Sequence, residues 1–244
     1  MRGAVNRGRA RWLAEALAAL IVLVIASGCA ARAPRSVVDR VLDAYGAPDS
    51  GEPAAFEQVG RIVSPMHPGL VGTVVRKSAG PSRLRVETTF PGQGTEVRIV
   101  DGERGWRDGV EVAGPNLAAM QLQAARLALP GLLTERRAQL VDRGEVTSGV
   151  ARRHVLEMDL GHERSLTLEI DPATGHIVRT IGRAGGAPGR LTIEFTTEYD
   201  ELRAVDGRLF PFYECTTAMG RRTADITFTS AATVSAFPAS TFAP

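Results

Sequence analysis

Cysteine is scarce. Two in 244 residues, Cys29 and Cys215, provide no disulfide framework. Aromatic residues make up only 5% of the chain. Neither sign of charge prevails, with 29 Lys and Arg against 27 Asp and Glu, so no basic field argues for nucleic acid. The four histidines, His67, His154, His162 and His176, stand at no short metal-ligand spacing to one another or to a cysteine. Nucleophile-elbow and phosphate-loop motifs are absent from the sequence. The expectation is a protein with no catalytic residues, no metal and no cofactor, and not an enzyme.

The first thirty residues carry the strongest local signal. Arg2, Arg7, Arg9 and Arg11 precede an apolar run from Ala16 to Ile25, which ends in Ala26-Ser27-Gly28-Cys29. The run is shorter than the ~20 residues a membrane span needs, and the pattern is that of a cleaved export signal. Small residues ahead of the cysteine resemble a lipobox, in which the Cys29 thiol receives diacylglycerol. The expected organisation is a signal peptide over 1–28, a tether over 29–35 and one domain over 36–244. Loss of residues 1–28 removes four arginines and one glutamate and leaves a net charge of −1. Cys29 then anchors the protein to a membrane, and Cys215 reads as a buried, inert thiol. Ala30 follows the modified cysteine; the enterobacterial inner-membrane retention signal is Asp at that place. The expected location is the cell envelope, facing the periplasm, on the outer membrane.

Beyond the tether, Val37, Val38, Val41, Leu42 and Tyr45 recur at helical spacing, with Ser36 as N-cap and Gly46 as stop. The period then changes to two. Leu84, Val86 and Phe90 alternate with charged neighbours, and Val97 and Ile99 are read as inward against outward Glu96 and Arg98. Leu166, Leu168 and Ile170, then Leu191, Ile193, Phe195 and Tyr199, then Ala224, Ile226 and Phe228 continue the alternation. Asp101-Gly102, Asp108-Gly109, Asp206-Gly207 and the stretch Asp171 to Gly175 are turn signals. About ten antiparallel strands with one dry face are expected. Pro115 to Ala128 interrupts them as a largely apolar helix, followed after Pro130-Gly131 by a short helix over Leu132 to Arg137.

One continuous apolar face must curl or be covered. The expected fold is mainly β with α: a curved antiparallel sheet forming an incomplete, half-open barrel, with an N-terminal helix and a helical lid in the concave face. Its concavity is either an apolar cavity suited to acyl chains or a solidly packed core.

The order of several stretches resembles the LolA/LolB lipoprotein-carrier superfamily, which includes mycobacterial glycolipid-binding lipoproteins. They are Val100 to Trp106 just ahead of the lid, Leu168 to Gly175, Tyr199-Asp200 with Val205 to Pro211, and the tail from Phe237-Pro238 to Pro244. The resemblance implies a binder of the acyl chains of lipids or lipoproteins, acting in their transfer or sorting. Leu84, Val86, Phe90, Val97, Ile99, Leu166, Leu168, Leu191, Ile193, Phe195, Ile226 and Phe228 are then expected to line the cavity. Leu117, Met120, Leu127 and Leu129 are expected to form the lid. LolB-like receptors carry an exposed leucine in a Pro-Leu-Gly-Ser-Thr-Glu-like hairpin. Here Pro91-Gly92-Gln93-Gly94-Thr95-Glu96 stands in the matching place without it. A different reading remains open: a tethered, non-catalytic interaction module that meets an envelope protein with its lid or outer sheet face.

Overall fold

The computed structural model describes residues 36–46, 55–148, 151–185 and 192–244. The signal segment, Cys29, the tether and Leu191 lie outside the described residues. The described elements belong to one unit, Ser36–Pro244.

Helix α1 (Val37–Tyr45) begins at a capping box. The Ser36 hydroxyl accepts from the Asp39 amide at 3.1 Å, and the Asp39 carboxylate accepts from the Ser36 amide at 3.2 Å. Together they satisfy two backbone donors that a helix start leaves open. Val37, Val38, Val41 and Tyr45 are buried on one stripe. The Tyr45 hydroxyl donates to the Ile177 carbonyl and accepts from the Ile177 amide, pinning the helix to the sheet. Gly46 ends it at φ +60°, and a Cβ there would stand 2.1 Å from the Gly207 carbonyl oxygen. Only glycine fits that approach.

Thirteen strands are present among the described residues, all in one antiparallel sheet. The first series is β1 (Ala55–Val63), β2 (Val71–Ala79), β3 (Arg83–Phe90), β4 (Gly94–Asp101), β5 (Arg104–Arg107) and β6 (Val110–Val112). The second is β7 (Val141–Ser148), β8 (Ala151–Gly161), β9 (Arg164–Ile170), β10 (Ile177–Ala184), β11 (Ile193–Val205), β12 (Arg208–Ala218) and β13 (Arg221–Val234). Each series is a meander. The two join where β1 pairs with β13, so the sheet runs from β6 to β7 and those two strands form its edges. Residues 113–140 connect the edges and carry helix α2 (Gly114–Leu127), helix α3 (Gly131–Glu135) and a 3₁₀ turn (Arg137–Gln139). The sheet is open, and α2 lies against β4, β5, β9 and β10. The expected half-open barrel with an N-terminal helix and a lid is therefore what the chain forms.

The hairpin turns follow their dipeptides. Asp108 and Gly109 take φ +52° and +79°, and Asp206 and Gly207 take +51° and +75°. Two successive positive φ values give the turn twist that antiparallel strands prefer.

The core divides into two clusters under the lid. Leu156, Met158, Leu166, Leu168 and Ile170 meet α1, Leu122 and Ala125 of α2, and Leu132 and Leu133 of α3. Leu84, Val86, Phe90, Val100, Phe210, Phe212, Ile226 and Phe228 meet Met120 and Ala124 of α2. A third, smaller cluster joins Ile99, Trp106 and Phe242, with Val97 and Phe237 against it.

Candidate ligand cavity

Between α2 and the concave sheet face lies a cavity of about 650 Å³, within the range of small-molecule sites. Asn116, Ala119, Met120, Gln123 and Arg126 present one face of α2 to it. Spacings of three and four residues place these side chains on a single stripe. Phe90, Leu166, Phe195 and Ile226 form apolar wall, together with Ile62 and Leu122. Polar side chains share the wall with them. Thr88, Thr180, Thr197, Thr216 and Thr223 contribute to it, and so do Glu96, Arg98 and Arg107. The sequence reading anticipated an apolar interior; the cavity instead interleaves apolar side chains with hydroxyl- and charge-bearing ones.

The structure places the expected lining residues in different settings. Phe90, Leu166, Phe195 and Ile226 touch the cavity. Leu84, Val86, Leu168 and Phe228 are buried in the clusters beneath the lid. Ile193 opens β11 opposite Ala184, outside both the cavity wall and the clusters. Met120 is the lid residue that reaches the cavity. Leu117 packs over Gly105, where a Cβ would come within 2.8 Å of it. Leu127 and Leu129 line a second, small space of about 50 Å³ at the other end of α2.

Val97 and Ile99 correct the expected facing of β4. The register pairs Leu84 with Val100 and Val86 with Arg98. Cross-strand partners share a face, so inward Leu84 and Val86 carry Val100, Arg98 and Glu96 inward with them. Val97 and Ile99 then lie on the convex side. There Trp106 and the tail residues Phe237 and Phe242 cover them. Both faces of β4 are occupied, so its apolar residues do not mark the concave one.

An interior charge network had no place in the sequence reading. Arg76 is 1% exposed and Glu214 not at all. The Arg76 guanidinium donates to both Glu214 oxygens at 2.9 and 3.0 Å, and to the Gln58 amide oxygen at 2.6 Å. Its plane lies 4.5 Å from the Phe228 ring centre. From α2, Arg126 Nη1 donates to Glu214 Oε2 and to the Tyr199 hydroxyl, each at 3.2 Å. Tyr199 in turn shares a hydrogen bond of 2.9 Å with Thr180. Burial alone would push the Glu214 carboxyl up, but Arg126 and Arg76 outweigh it and hold the group down at about 2. Burial pushes the Tyr199 hydroxyl up, so it stays protonated.

The signal for this network was present in strand parity. Glu214 stands two residues from Phe212 and four from Phe210, on the apolar side of β12. Arg76 stands two residues from Val74 on β2. A charge at an inward position is costly unless paired, so two such charges of opposite sign point to each other.

His154, on an inward-reading position, is held by Asp142 of the edge strand at 2.7 Å, outside the cavity wall. Arg179 bridges Glu169 and Glu198 across strands with its head partly in water. No group of three or more metal-ligating side chains occurs among the described residues.

An open half-barrel of one antiparallel sheet, lidded by helices inserted between its edges, defines the class of fold. The chain has the fold of the LolA superfamily. It matches a LolA superfamily protein from Nitrosomonas europaea with a TM-score of 0.55 at 12% identity, over 86% of this chain and 99% of that one. It also matches a putative outer membrane lipoprotein-sorting protein domain from Vibrio parahaemolyticus with a TM-score of 0.51 at 9% identity, over 84% of this chain and 95% of that one. No protein-family model and no curated protein matches the sequence.

Proposed function

We propose that this protein is an envelope lipoprotein that holds acyl chains of lipids or lipoproteins in the cavity under α2 and takes part in their transfer or sorting. The observation that carries the proposal is the 650 Å³ space between a lid helix and a concave sheet, lined by apolar Met120 from the lid and Phe90, Leu166, Phe195 and Ile226 from the sheet. Burying about ten methylenes there at ~0.8 kcal/mol each gives roughly 8 kcal/mol, the scale of micromolar binding. No step of covalent chemistry is assigned. Residues 1–28 act as signal, 29–35 as tether, and the lipid on Cys29 holds the domain at the periplasmic face of the outer membrane.

Organic extraction of the purified protein tests the reading. Release of acyl lipid in stoichiometric amount is expected. A protein that yields no lipid and binds no fatty-acid probe has a solid or solvent-filled interior, and the proposal fails.

A further inference from the structure

We propose that the natural ligand of this cavity is an anionic amphiphile, whose carboxylate or phosphate head is received by Arg126. The proposal rests on the acyl-binding reading and names the headgroup class. Four guanidiniums, Arg76, Arg98, Arg107 and Arg126, share two glutamates in and around the cavity. Glu214 serves Arg76 and Arg126, and Glu96 serves Arg98 and Arg107. Asp108 adds one negative charge near Arg98, and its Oδ1 accepts from the Val97 amide. Counting Asp108, one positive charge remains in excess.

Arg126 is the one of these four that the lid helix carries into the cavity. Its side chain is 8% exposed and lines the cavity. Arg76 already engages both Glu214 oxygens, so Arg126 has only a share of Oε2. Among the described residues both hydrogen bonds of Arg126 leave from Nη1, and none leaves from Nε or Nη2. A guanidinium that lines a cavity with donors its protein partners leave unused can receive a carboxylate or phosphate in a charge-assisted, bidentate pair. Thr88 is a second polar group on the same wall. It is 8% exposed on the cavity wall, and its hydroxyl has no hydrogen-bond partner. A cavity for hydrocarbon alone gains nothing from either group, because an unsatisfied buried polar group is destabilising. The apolar side chains pack against the tail, and Arg126 receives the head.

The test uses the full chain in isolated envelopes and three photoreactive sixteen-carbon probes: a fatty acid, a lysophosphatidic acid and the neutral fatty alcohol. Labelled peptides are mapped to the cavity wall. At equal concentration the anionic probes are expected to label it at least about tenfold more than the alcohol, the scale of one charge-assisted hydrogen bond. Which anionic probe leads tells carboxylate from phosphate. Arg126→Gln is expected to abolish the preference and Arg126→Lys to retain it. Equal labelling of wild type by alcohol and acids overturns the headgroup assignment and leaves acyl binding standing. No cavity labelling by any probe overturns both. The wild-type ratio decides without any variant, so a misfolded variant does not rescue the idea.

Discussion

Replacing Glu214 by glutamine removes one charge and almost no volume. In the native protein the carboxylate is fully buried between Arg76 and Arg126. Glutamine leaves two guanidiniums, 1% and 8% exposed, facing a neutral amide. Breaking a buried pair by removing one partner costs about 3–5 kcal/mol, which in a domain of this size lowers Tm by on the order of 10 °C. The pH dependence gives an independent figure. The Glu214 carboxyl is held at about 2 in the folded state against an ordinary 4.5. A depressed carboxyl contributes stability above its unfolded value and loses it as pH falls through the folded one. The contribution, roughly 3 kcal/mol by linkage, is complete above about pH 4.5 and gone near pH 2. Denaturant titration of wild type and Glu214→Gln at pH 7 and at pH 3 reads both quantities. The gap between the proteins is expected to be 3–5 kcal/mol at pH 7 and clearly smaller at pH 3. A gap under 1 kcal/mol at pH 7, or one that does not change with pH, refutes the account of a paired buried carboxylate.

Other outcomes follow from the same structure. Cys29→Ser is expected to abolish metabolic labelling with palmitate; equal labelling of both proteins would end the anchor assignment. Fractionation is expected to find the protein in the outer membrane, in a host that reads Asp after the cysteine as its inner-membrane signal. Met120→Glu puts a carboxylate on the lid face of the cavity, and fatty-acid probe affinity is expected to drop at least tenfold; unchanged affinity would move the ligand elsewhere. The hairpin Pro91 to Gly94 is exposed and carries no apolar tip, while Phe90 beside it is buried. The protein is therefore expected not to replace a LolB receptor in a depletion strain, and rescue by wild type would contradict this.

Strand parity and turn dipeptides made much of the architecture legible. The bounds of β3 and the reversals at Asp108-Gly109 and Asp206-Gly207 follow from residues whose backbone preferences act locally. Helix α1 was legible for the same reason, through Ser36, Asp39 and Gly46. The facing of Val97 and Ile99 was not, because it is decided by a tail some 140 residues away that buries the convex side. Strand parity turns Arg76 and Glu214 inward, but parity alone does not pair them. Only the sheet order, which places β12 near β1 and β2, shows that they are partners.

The lid is not hinged at one end like a door. Residues 113–140 leave β6 at one rim of the sheet and enter β7 at the other. Sheet and lid thus form a closed hoop of covalent chain and strand pairing, with the lid as its drawstring. Both ends of the lid are fixed to strands, and α2 has a covalent route to each rim. Met120 and Arg126 sit on the one segment of chain that ties the two edges together.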